Sequence, residues 1–394
     1  MGILIPLFLI ILSCLIIWRA CYGFETSSQY LGRYLSDGVR GATINAISSS
    51  VPELFTTIFF LLYLKDTEGF SGGIGTTAGS AIFNGMIIPA LVILTVIYFR
   101  NKKNISISKR VILRDGIALI IAELILIFVI SGNALYWWHG AVLMITYLIY
   151  LFYMFYRMEK VKKEDIDYSQ FENENENRIQ ENKSLIQSIV TIDLENIVLG
   201  TNRINKENSS VLLLLSTTII GLSCLILVSA CEMIGNDLYY LPYIGEVYGL
   251  DIPILFIAVI LASAATSVPD TVISIRDAKI GNYNDAIANA LGSNIFDICF
   301  ALGLPLFFYC IFYGPIYMDP ETIKFSSELR ILLLIFTVFS FLIFYIGKSM
   351  GKIKAYLLLT LYLLFTIYII SISIGLSWAQ SISEFLEIIY LFIN

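Results

Sequence analysis

Residues 46–57 read AISSSVPELFTT and residues 263–274 read SAATSVPDTVIS; each sets a proline and an acid behind hydroxyl residues inside an apolar stretch. Ser50-Val51-Pro52-Glu53 aligns with Ser267-Val268-Pro269-Asp270. Farther along, GSAIFN at 79–84 lines up with GSNIFD at 292–297. Two shared blocks, in the same order and at comparable separations, mark an internal repeat.

The residue types share one physical logic. Proline has no backbone donor and clashes with the carbonyl one turn back, so a helix breaks there and frees carbonyl oxygens. Hydroxyls three or four residues before an acid share its helical face: Ser49 and Ser50 before Glu53, Thr266 and Ser267 before Asp270. Ser80 and Asn84 are four apart, as are Ser293 and Asp297, so each pair also faces one way. Carboxylate, hydroxyl and carbonyl oxygens suit Ca²⁺ and Na⁺ rather than soft metals. A lone intramembrane acid is often a buried pair or a helix cap, and a lone Ser or Asn is often packing glue. Three acids in matched settings, Glu53, Asp270 and Asp297, are harder to explain so, because a carboxylate at the bilayer centre costs roughly 2.5–3.5 kcal/mol.

The surroundings are a membrane protein. Of 394 residues 57% are hydrophobic and 14% charged, against about a quarter charged in soluble domains. Apolar runs long enough to cross a bilayer as helix predict ten spans at 3–19, 41–64, 73–99, 111–130, 134–156, 209–235, 252–275, 285–313, 329–347 and 354–378. The fold class expected is therefore all-α and polytopic. The start lacks a basic n-region and a small-residue cleavage site, and reads as a retained helix. The six cysteines read as small apolar core residues, and His139, after YWW at a span end, as an interface residue.

Lys and Arg fix an orientation. With the N-terminus outside, the inner loops hold Arg19, Arg33 and Arg40, then Arg100, Lys102, Lys103, Lys109, Arg110 and Arg114, then the bases of 157–206, Arg276 and Lys279, and Lys348, Lys352 and Lys354. The outer side keeps Lys65, Lys324 and Arg330. The second span then runs outward and the seventh inward, so the two copies are inverted. Inverted repeats with proline-interrupted spans mark secondary transporters with a midplane site.

The block 157–207 is polar and reads as a cytosolic linker with some helix. FENENEN at 171–177 lacks the glycine and spacing of a calcium loop, and Asn182 in NKS faces the cytosol, away from glycosylation. The division is 1–156 as the first half, with repeat 1 at about 41–95; 157–207 as the loop; 208–378 as the second half, with repeat 2 at about 255–310; and 379–394 as an amphipathic tail that lies at the interface or pairs with the bundle. No nucleotide loop is present and the lone histidine has no partner motif. The reading is therefore no enzyme, no cofactor and no nucleic acid, with the bilayer and transported cations as partners.

GATINAISSSVPELF (41–55) with GIGTTAGSAIFN (73–84), and AATSVPDTVISIRDAKIGNYNDAIANALGSNIFDICFALGLP (264–305), resemble the two α-repeats of the cation/calcium exchanger superfamily. They look most like the potassium-dependent sodium/calcium exchanger branch. The resemblance implies ten helices in two inverted five-helix repeats and a Na⁺/Ca²⁺ antiporter of the cell membrane working by alternating access. It implies Glu53 and Asp270 as central ligands, with Ser49, Ser50, Ser80, Thr266, Ser267 and Ser293 completing the sodium and calcium sites, and Asn84 and Asp297 at the middle. Aspartate at 297 is the residue potassium-dependent members carry, which favours K⁺ moving with Ca²⁺. Ser48 and Ala265 stand where the family usually has glycine, which predicts a tighter or shifted unwinding, and Pro89 falls where its third span usually runs on. The other readings are a potassium-independent or H⁺/Ca²⁺ exchanger on the same fold and, in a different class, a non-transporting scaffold or sensor working through the loop.

Overall fold

The computed structural model describes residues 2–33, 35, 39–64, 70–157, 184–347 and 349–393. It is a helical bundle. The first half holds α1 (Leu4–Leu31), a π-helical turn at Gly41–Asn45, α2 (Ala46–Ser49), α3 (Val51–Leu62), α4 (Ser71–Phe99), α5 (Lys109–Val129) and α6 (Trp137–Arg157). Two short helices, α7 (Leu185–Val190) and α8 (Leu194–Leu199), lead to α9 (Lys206–Gly235). The second half continues with α10 (Ile254–Ile257), a π-helical turn at Ala258–Ala262, α11 (Ser263–Thr266), α12 (Val268–Ile280), α13 (Tyr283–Phe296), a third π-helical turn at Asp297–Ala301, and α14 (Gly303–Tyr313). Then come α15 (Pro320–Tyr345), α16 (Lys352–Ser373) and α17 (Ser377–Ile393). Strand β1 (Ala134–Leu135) pairs antiparallel with β4 (Ile316–Tyr317), and β2 (Leu238–Leu241) forms a hairpin with β3 (Gly245–Tyr248).

The repeat is visible in the backbone. A π-turn, a four-residue helix, a one-residue break and a proline-led helix follow each other at the same spacing twice, with the breaks at Ser50 and Ser267. The first broken pair bends by 44°. Unwinding therefore falls at the serine before the Val-Pro step, while Ser48 and Ala265 remain inside α2 and α11. Pro89 does not end α4, which runs through it.

Each repeat is clamped by a glycine of the other. A Cβ on Gly79 of α4 would lie 2.3 Å from the Val259 carbonyl oxygen, in the π-turn before α11. A Cβ on Gly292 of α13 would lie 2.7 Å from the Ala42 backbone, in the π-turn before α2. Only residues without a side chain allow these backbones to meet, which explains the glycine shared by GSAIFN and GSNIFD.

Several expectations need correction. Among the described residues eight helices are long and apolar enough to cross a membrane, or nine with the bent pair. The remaining predicted span, 111–130, is α5, which is helical but buries Asp115 and Glu123. Asp115 takes two hydrogen bonds from Arg114 at 2.6 and 2.8 Å, and Glu123 accepts one from Thr337 at 2.6 Å while its Oε2 has no partner. The first helix extends well past residue 19, so Arg19 lies within α1 rather than in a loop. Arg330, expected on the outer side at the start of the 329–347 span, is buried in α15 and donates to the carbonyls of Ile127 and Ile130, at 3.2 and 2.5 Å, at the end of α5. His139 is buried and accepts from the Tyr136 amide at 2.7 Å, so it caps the start of α6.

The block 157–207 is not simply solvated. Leu194 and Leu199 are buried against α1 and α9, and Glu195 accepts a hydrogen bond from Thr26. FENENEN, Asn182, Lys65 and Lys348 lie outside the described residues. The amphipathic tail pairs with the bundle: Ser383 of α17 donates to Glu328 at 2.6 Å, and Lys324 pairs with Glu387 at 3.1 Å. The six cysteines are free and all but Cys14 are buried, as small core residues would be.

Candidate functional site

At both breaks the proline determines the local chemistry. Pro52 and Pro269 offer no N–H to the carbonyls of Ser48 and Ala265, so the ends of α2 and α11 leave acceptors open. Those ends carry the negative pole of their half-helices. Glu53 and Asp270 stand in the first turns of α3 and α12, where the positive pole favours a carboxylate. A cation between the half-helices is thus met by carbonyl ends and carboxylates together.

The two repeats meet at this point. Glu53, Asp270 and Asp297 each bring a carboxylate oxygen to within 4.8 Å of the other two, and all are wholly buried. Ca²⁺–oxygen distances of about 2.3–2.6 Å place opposite ligands about 4.6–5.2 Å apart, so one ion can touch all three. Ser80 donates to Glu53 at 3.1 Å and to Asp297 at 3.0 Å, and lies 2.9 Å from Ser267. Ser293, its counterpart, donates to Asp270 at 2.5 Å. Asn84 crosses between repeats, donating to Asp270 at 3.0 Å.

Every predicted site residue is fully buried, and they differ in how near the carboxylates they stand. Ser49 stands beside Asp270, donating to the Asn45 carbonyl at 2.8 Å and lying 3.4 Å from Ser293. Thr266 turns its hydroxyl to the Ser263 carbonyl at 3.2 Å. Among the described atoms, the Ser50 hydroxyl, Glu53 Oε2, Asn84 Oδ1 and Asp297 Oδ1 are buried without a hydrogen-bond partner. Buried oxygens are normally satisfied. Four orphaned acceptors around three carboxylates fit a hard cation, and the oxygen-only donor set excludes a thiolate-loving metal.

One residue that the sequence reading passed over belongs to this setting. Asn289 lies one turn before Ser293; its Nδ2 donates to Ser274 at 3.0 Å and to the Asp270 carbonyl at 3.4 Å, and its Oδ1 accepts from Ser49 at 3.3 Å. Its signal was the run of polar residues at every fourth position, Asp285, Asn289, Ser293 and Asp297, which share one helical face.

Residues 5–156 and 208–371 match the family described as "Sodium/calcium exchanger protein". The chain belongs to that family. Within the wider cation/calcium exchanger superfamily it is similar to human "Sodium/potassium/calcium exchanger 3", 36% identical over 116 residues, which is 29% of this chain and 17% of the relative's length. It is also similar to human "Sodium/potassium/calcium exchanger 5", 26% identical over 364 residues, covering 78% of this chain and 70% of the relative. The fold of this exchanger-family chain resembles the crystal structure of the H⁺/Ca²⁺ exchanger CAX, with TM-score 0.63, 14% identity and coverage of 98% and 87%. It also resembles the sodium-calcium exchanger NCX_Mj, with TM-score 0.52, 21% identity and coverage of 92% and 98%. The chain is thus an integral multi-pass membrane protein of a transporter family.

Proposed function

We propose that this chain exchanges Na⁺ for Ca²⁺ across a cell membrane by alternating access. Glu53 and Asp270 act as shared ligands, with Ser49, Ser50, Ser80, Thr266, Ser267, Ser293 and Asn84 around them. The carrying observation is the buried trio of carboxylates, drawn from two repeats, with orphaned oxygens beside it. Three negative charges exceed one Ca²⁺ by one, which leaves room for a monovalent ion at Asp297; K⁺ is the candidate. The N-terminus faces outward and the 157–207 segment inward, following the basic residues of the loops.

The coupling demand agrees with several overlapping oxygen sites. Exporting Ca²⁺ against an about 10⁴-fold gradient and about 100 mV costs about 10 kcal/mol. Each Na⁺ entering down an about tenfold gradient returns about 3.7 kcal/mol, so two fall short and three suffice.

The test is ⁴⁵Ca²⁺ flux in proteoliposomes with Na⁺, K⁺ and pH varied independently at clamped potential. Flux driven by Na⁺ supports the reading. Flux driven by a pH gradient alone replaces it with H⁺/Ca²⁺ exchange, and no flux favours a non-transporting role. Asp297→Asn is expected to remove K⁺ stimulation while retaining Na⁺/Ca²⁺ exchange; wild-type flux indifferent to K⁺ defeats that part.

A further inference from the structure

From the central site a polar track runs toward the basic end of the bundle, where Arg100 meets Tyr283 and Lys279 covers Phe99. Asp270, Ser274 and Asp277 share one face of α12, and Asp285, Asn289 and Ser293 one face of α13. Asn289 bridges them through Ser274. At the far end of the track, Asn45 Nδ2 donates to Asp277 at 3.3 Å, Arg40 pairs with Asp285 at 2.6 Å, and Arg276 pairs with Glu25 of α1 at 2.9 Å. Glu25, Arg40, Arg276 and Asp285 all lie close enough to act on the charge of Asp277.

Three features set this cluster apart from an ordinary structural ion-pair network. Glu25, Asp277 and Asp285 are almost completely buried at one end of the bundle, facing two partly exposed guanidinium groups. Asn45 is equally buried, and its Oδ1 has no partner although its own amide nitrogen touches Asp277. A buried acceptor left open beside a carboxylate calls for a cation. Finally, Arg40 and Arg276 keep 22% and 27% of their side-chain surface exposed, unlike the buried acids they face.

We propose that Asp277, Asp285 and the Asn45 amide oxygen form a second cation station at the basic end of the pathway, which takes Ca²⁺ or Na⁺ when the Arg40 guanidinium swings off Asp285. In the closed arrangement the arginine is a tethered cation standing in for the transported one. An ion arriving from this end replaces it, then moves along Ser274 and Asn289 to the central carboxylates. The station rests on the exchange reading above for its role, but its binding can be tested without transport.

The full chain is reconstituted in vesicles sorted by orientation, and Ca²⁺ flux is titrated from each side. Asp277→Asn is expected to raise half-saturating Ca²⁺ about tenfold from the basic side, about 1.4 kcal/mol, and to leave the other side unchanged. Arg40→Gln is expected to lower it from the basic side only. An equal shift on both sides, or none, overturns the station. Should Asp277→Asn fail to insert, Asn45→Leu carries the same sided expectation. In parallel, ⁴⁵Ca²⁺ equilibrium binding to purified Glu53→Gln chain is expected to retain a weaker class of sites that adding Asp277→Asn removes. Absence of that class overturns the station even where the wild type transports; its presence without any wild-type flux overturns the exchange reading alone.

Discussion

The two ends of the repeat core are built from equivalent positions with opposite chemistry. By the repeat alignment Asp277 corresponds to Phe60 and Asp285 to Gly72. At the basic end those positions hold buried carboxylates under two arginines. At the other end the Phe60 ring lies on Gly72, where a Cβ would come within 2.6 Å of it, and Phe70 and Leu61 are buried beside it. On the exchange reading proposed above, one end would be shut by charges that a cation can exchange with, the other by an apolar seal that must move bodily. A fold with two-fold pseudosymmetry thus need not have symmetric gates. The centre differs too: α4 passes Asn84 as regular helix, whereas its counterpart unwinds into a π-turn at Asp297. Such turns occur often at functional sites.

The largest expected effect tests whether the two halves contribute equally at the centre. Glu53→Gln and Asp270→Asn keep shape and remove charge, and each is expected to cut sodium-driven Ca²⁺ flux about 100-fold or more, at about 1.4 kcal/mol per tenfold. Near-normal flux in either variant, at matched expression, would sink the assignment.

Next comes the reciprocal clamp. Gly79→Ala drives a methyl group into the Val259 carbonyl and is expected to cost about 1–3 kcal/mol as overpacking. Gly85, on the same helix, has open space, its nearest neighbour being Asn294 Nδ2 at 3.8 Å. Gly85→Ala should gain up to about 0.8–1.0 kcal/mol from helix propensity. Thermal unfolding in detergent reads the difference; equal melting points would remove the clamp from the account of the fold.

Phe60→Ala sharpens the contrast between the ends. It opens the apolar seal and is expected to raise Na⁺ leak measured without Ca²⁺ several-fold, beside a core cost of about 3–5 kcal/mol. If leak stays at the wild-type level in a correctly inserted variant, the seal lies elsewhere. The smallest effect is expected from replacing residues 158–183 with a short Gly/Ser linker, which should leave coupled exchange within about twofold because a polar segment of this kind is not accommodated in lipid. Extending the replacement through Leu199 removes the Thr26–Glu195 contact and uncovers the apolar surface around Leu194. Expression, rather than exchange per molecule, should then fall.

The central acids were legible because charge is conspicuous in an apolar chain and the repeat doubled the signal. Glu53, Asp270, Asp297, Ser80, Ser293 and Asn84 meet as their spacing suggested. The breaks at Ser50 and Ser267 followed from proline chemistry, and Ser48 and Ala265, where the family usually has glycine, lie two residues before them. Phe60 and Gly72 were silent, since one more aromatic or glycine carries no information in a sequence this apolar. Asn45 and Asp277 were silent for another reason: they are 232 positions apart and only the fold joins them. The burial of Arg330 was silent because its partners are backbone carbonyls, which no side-chain pattern reveals.

The reciprocal crossing of Gly79 and Gly292 has a consequence for biogenesis. A ribosome adding about 5–20 residues per second needs about 12–50 s to travel from Glu53 to Asp297. Throughout that interval the first repeat waits in the bilayer with its glycine notch empty and Glu53 without the second-repeat residues that surround it in the finished fold. Neither half can be proofread by itself, because the surface that completes each is encoded in the other. Quality control of this chain therefore has one checkpoint, late in synthesis, and lesions in either repeat should surface there as the same arrested species.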